Sequence, residues 1–95
     1  MLVYMGLAGM TLNACAVKPP VQEMAEARSS VHMAHQLSGK SGDKNRFLQS
    51  AEASLREASL AIQEKRYEHA RIQALKARRE AQRAVKILRT TQPAL

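Results

Sequence analysis

Apolar residues recur at helical spacing in three separate stretches of this chain. Met24, Ala27, Val31 and Ala34 follow one another at intervals of three and four, which places them on one face of a helix. Pro20 suits the first position of that helix, where a missing N–H costs nothing and a fixed φ is already helical. Glu23 and Glu26 lie near the positive end of the helix dipole. The pattern predicts a first helix over about 20–37. "SGKSGDKN" follows, two glycines among polar residues, and reads as a loop.

A second apolar line, Leu48, Ala51, Leu55, Ala58 and Ile62, predicts a helix over about 44–64, with Asp43 or Asn45 to cap its start. The third line is more regular. Tyr67, Ala70, Ala74, Ala77, Ala81, Ala84 and Leu88 step by three and four in alternation, as coiled-coil contact stripes do. It predicts a helix over about 67–91, stopped by Pro93.

No glycine or proline separates the last two lines, so one continuous helix from about 44 to 91 is the alternative. Against it, the step from Ile62 to Tyr67 is five residues and rotates the apolar face off its line. A single rod would also leave two thin stripes uncovered. We therefore expect a tight turn at "EKRY" and an antiparallel hairpin, whose small side chains let the helix axes come close. The expected fold is all-α: a small three-helix domain over residues 21–92 that contains this C-terminal hairpin.

Composition changes the picture in two ways. Tyr4, Phe47 and Tyr67 are the aromatic residues, there is no tryptophan, and alanine dominates the apolar set. Alanine favours helix but buries little surface, so a thin core is expected, stabilised by anchoring or by homo-oligomer formation. Charge is uneven. The bases and acids up to Glu64 balance, whereas Lys65, Arg66, Arg71, Lys76, Arg78, Arg79, Arg83, Lys86 and Arg89 oppose only Glu68 and Glu80, so the net +7 lies there. Such asymmetry points to an anionic partner.

Lys76, Arg79, Arg83 and Lys86 repeat at three- and four-residue spacing nearly opposite the alanine line, and Arg71, Arg78 and Arg89 widen that field. This face is the candidate binding surface. The bland reading, a solvated face that keeps a small protein in solution, carries equal weight at this stage.

The start of the chain has a different character. "MLVYMGLAGMTLNAC" holds no charged side chain, and its apolar run is too short to span a bilayer as a helix. A short apolar core ending in small residues reads as a signal peptide over 1–14. Gly6 and Gly9 argue against a buried core helix there. Cys15 is the single cysteine, so no internal disulfide forms.

Leu12-Asn13-Ala14-Cys15 resembles the lipobox of bacterial lipoproteins. That resemblance implies a diacylglyceryl group on the Cys15 sulfur, cleavage before it, and a lipidated tether over 15–20 kept extended by Pro19 and Pro20. Ala16 in place of Asp implies, within the same family, the periplasmic face of the outer membrane. Further on, Ala51-x-x-x-Leu55-x-x-Ala58, then Tyr67-x-x-Ala70 and the alanines to Ala84, resemble an uncharacterised helical domain of envelope lipoproteins, often found ahead of OmpA-like peptidoglycan-binding domains. The resemblance covers about residues 15–89 and implies no catalytic residues, cofactor or metal. The partners it suggests are the membrane through the acyl chains, peptidoglycan, anionic lipid or another envelope protein.

Other candidate chemistry is weak. "AHQLSGKS" fits the loose spelling of a phosphate loop, yet no strand precedes it and no helix opens at Lys40-Ser41. His32 and His35 stand one turn apart, too few for a metal site, with His69 on another helix; they read as a solvent-facing pair. Ser29 and Ser30 lack an acid spaced to orient a histidine. Met24 and Met33 read as packing residues. An enzyme is not expected. The rival classes are a cytosolic basic helical protein that binds nucleic acid, which lacks stacking aromatics here, and an assembly or pilot lipoprotein of an envelope complex.

Overall fold

The computed structural model describes residues 18–39 and 45–91, and these form three helices: α1 (Val21–Ser38), α2 (Arg46–Gln63) and α3 (Tyr67–Thr91). The segment read as a signal peptide, Cys15, the glycine-rich part of the first loop and Pro93 lie outside the described residues.

Each boundary has a local cause. α1 begins after Pro20, whose carbonyl accepts from the Met24 N–H at 3.0 Å. It ends at Ser38, whose hydroxyl donates to the His35 carbonyl, followed by Gly39 at φ 36°, a conformation that strains any side chain. Asn45 caps α2: its Oδ1 accepts from the backbone N–H of Phe47 at 2.8 Å and of Leu48 at 3.1 Å.

The joint between α2 and α3 excludes the continuous rod. Arg66 N–H reaches back to the Ala61 carbonyl at 2.8 Å and Lys65 N–H to the Ile62 carbonyl at 2.9 Å. This is the paired bonding of a Schellman cap, and it requires a left-handed residue, here Lys65 at φ 62°. The helix stops without glycine. The Arg66 carbonyl then accepts from Ala70 N–H, so α3 starts at once in the opposite direction.

The three helices run up, down and up. Leu48 and Ala51 pack with Ala81, Ala84, Val85 and Leu88, whereas Ala58 packs with Ala74 and Ala77, which makes α2 and α3 antiparallel. Glu26 meets Arg78 and Met33 meets Arg89, so α1 runs parallel to α3. α3 lies between the other two and carries most of the packing with each.

α3 buries Ala70, Ala74, Ala77, Ala81 and Ala84 completely, and Leu88 and Val85 nearly so. Along α2 the buried line is Leu48, Ala51, Ser54, Ala58 and Ala61. Leu55 and Ile62, which the spacing places at the centre of the seam, sit half-buried at its border beside the two apolar clusters. From Ala51 to Ala61, close approach to an alanine-faced helix sets small residues on the contact line, and the larger neighbours flank it. Tyr67 is likewise half-buried, at the start of α3.

Candidate functional site

Because α3 gives its alanine stripe to packing, residues half a turn away must face outward. Lys76, Arg79, Arg83 and Lys86 occupy that side and are all exposed. None of the four makes an ion pair with any described residue. They form a stripe of uncompensated positive charge along about three turns of helix.

The other candidate cations behave differently. Arg78 turns toward α1 and donates to Glu26 Oε1 at 3.1 Å. Arg89 directs Nη2 at Met33 Sδ, 3.6 Å away, on the same flank. Arg71 pairs with Glu68 one turn below. The hydrogen bond and charge of Arg71 hold the Glu68 carboxyl below the usual carboxylate range, and Glu68 in turn raises the Arg71 guanidinium. The predicted field of seven cations therefore divides. Four point outward without an ion-pair partner among the described residues; Arg71, Arg78 and Arg89 are engaged along the flank.

A feature not anticipated from spacing lies where the stripe meets the start of α2. The antiparallel register sets Phe47 beside Arg83, and the guanidinium carbons of Arg46 and Arg83 stand 5.5 and 5.6 Å from the centre of the Phe47 ring. Both distances fall within the range of cation–π attraction. The ring is half-buried against the cluster of Leu48, Val85 and Leu88. Helical periodicity within one segment cannot show this contact. Only the pairing of helices across the turn at residues 64–66 brings Phe47 and Arg83 together.

Histidine contacts also cross helices. His32 and His35 are both exposed, and His35 also meets Glu52 of α2, bridging α1 and α2. His69 Nε2 lies 3.0 Å from Glu57 Oε2, tying α3 to α2. Among the described residues, no group of three or more His, Cys, Asp or Glu side chains is placed to hold a metal ion.

Between α1 and α3 an open groove of about 320 Å³ is lined by Ser29, Ser30, Met33, Gln82, Val85 and Arg89. Among the described residues, no histidine or carboxylate is bonded to its serines. The stretch from Ala34 to Ser38 is the last turn of α1, not a strand end, and Lys40 and Ser41 lie outside the described residues. No family model matches the chain, and the comparisons find no curated protein and no solved structure similar to it. Among the described residues no helix is long and apolar enough to cross a membrane.

Proposed function

We propose that this chain is a non-enzymatic lipoprotein of a bacterial envelope, anchored through acyl chains on Cys15 at the periplasmic face of the outer membrane. Its three helices act as a structural or interaction module, and the outward face of α3 meets an anionic surface or partner. The observation that carries the reading is the stripe of Lys76, Arg79, Arg83 and Lys86, exposed and without an ion-pair partner among the described residues, while Arg71 and Arg78 pair with the fold's own carboxylates. Solubility alone needs no such segregation, because charges of both signs would serve.

Arg79→Ala combined with Lys86→Ala tests the stripe. Each basic residue near an anionic membrane contributes about 1 kcal/mol, so the double variant binds phosphatidylglycerol vesicles roughly 30-fold more weakly at low salt. Helix content and melting temperature stay as they were, since both side chains are exposed. Unchanged attachment would reduce the stripe to a solvated face. Mass spectrometry of protein from the membrane fraction tests the anchor: an uncleaved, unmodified N-terminus overturns it.

A further inference from the structure

We propose that Arg46 and Arg83, held on the ring of Phe47, form a recognition centre for phosphate groups. This rests on reading the outward face of α3 as an anion-binding surface and names the chemistry at one end of it. The two guanidiniums come from different helices, α2 and α3, and converge only because the hairpin register is fixed. Their carbons lie 5.5 and 5.6 Å from one ring centre, so they are at most about 11 Å apart.

The Phe47 ring is seated on the cluster of Leu48, Val85 and Leu88, which fixes the platform on which both cations rest. Part of the ordering cost of binding is therefore already met in the free protein. Among the described residues, neither guanidinium has a carboxylate partner and no hydrogen bond occupies either fork. Two like charges held within about 11 Å of each other favour an anion beside them.

Phosphate fits this better than carboxylate. A carboxylate offers two oxygens and one charge, which a single guanidinium fork saturates. A phosphate group offers three free oxygens and up to two charges, enough to engage both forks. The N–H groups of Phe47 and Leu48 are already bonded to Asn45, so the guanidiniums hold the anion, while the positive end of α2 adds to the local potential.

The test uses the full nitrogen-15-labelled chain in non-ionic detergent, following the arginine Nε–H signals by nuclear magnetic resonance. Inorganic pyrophosphate should shift the Arg46 and Arg83 signals saturably, whereas acetate at equal ionic strength should not. Arg46→Gln, which keeps the ring and its packing, should weaken pyrophosphate at least fivefold, and Phe47→Leu should weaken it by about as much. Equal responses to acetate, shifts that never saturate, or unchanged affinity in Arg46→Gln would each overturn the site. Phosphatidic acid vesicles that displace pyrophosphate from Arg46 assign the phosphate to a lipid headgroup; pyrophosphate that stays bound beside them assigns a soluble phosphate. Vesicle attachment that survives in Arg46→Gln with pyrophosphate affinity unchanged sinks this site alone. Pyrophosphate binding by a chain that ignores anionic vesicles sinks the membrane reading alone.

Discussion

The two ends of the bundle meet the same packing demand with different side chains. Where α1 gives way to α2 and α3 finishes, Val31, Leu48, Val85 and Leu88 join Ala34, Ala51, Ala81 and Ala84 in the core, with Leu37, Phe47 and Leu55 against it. Toward the turn between α2 and α3 it is made of Met24, Ala27, Ala58, Ala74 and Ala77, with Leu55 and Ile62 at the edge. The first end gains its stability from apolar area. The second has little area to bury and relies on close approach of the helices and on the tight cap at Glu64–Arg66. Leu55 belongs to both and marks the change.

Three substitutions break or sharpen this contrast. Leu88→Ala removes a large buried side chain from the area-rich end and should destabilise by about 2–5 kcal/mol, read from urea unfolding. A loss under about 1 kcal/mol would mean that this end collapses to fill the space and is no better packed than the other. Ala77→Leu adds volume where Ala77 is wholly buried, and overfilling should cost about 1–3 kcal/mol. A neutral result would show that the alanine end has room, and the close-approach account would fall. Lys65→Gly relieves a left-handed residue at the cap and should stabilise by about 1 kcal/mol, raising the melting temperature. If it destabilises, the Lys65 side chain supports the turn in a way its backbone angles do not reveal.

Much of the fold is legible in the residue spacing. The three apolar lines lead to three helices because each keeps one face over about three turns or more, and the five-residue step at Ile62–Tyr67 marks the turn without any glycine. What spacing cannot supply is which of two adjacent apolar residues takes the contact line. Ser54 and Ala61 are buried although Leu55 and Ile62 are more apolar, since the distance between helix axes decides and that distance belongs to the pair, not to either strip of sequence. The same limit applies to the cations. Periodicity groups Arg78 with the binding face, but Glu26 of α1, far away in the chain, claims it. His35 is claimed by Glu52 in the same manner. The centre at Phe47 needs two helices to exist at all.

The placement of α3 between its neighbours sets an order of assembly. The turn at residues 64–66 closes the α2–α3 hairpin with almost no loop entropy, whereas contacts between α1 and α3 join residues as far apart as the 56 positions from Met33 to Arg89. The hairpin therefore forms as a unit first, and α1 docks onto it last and leaves it first. In native-state hydrogen exchange the amides of α1 should open at lower free energy than those of α3. Each such opening uncovers the flank of Arg78, Val85 and Arg89, giving the hairpin a second, transient face that the closed bundle keeps out of reach.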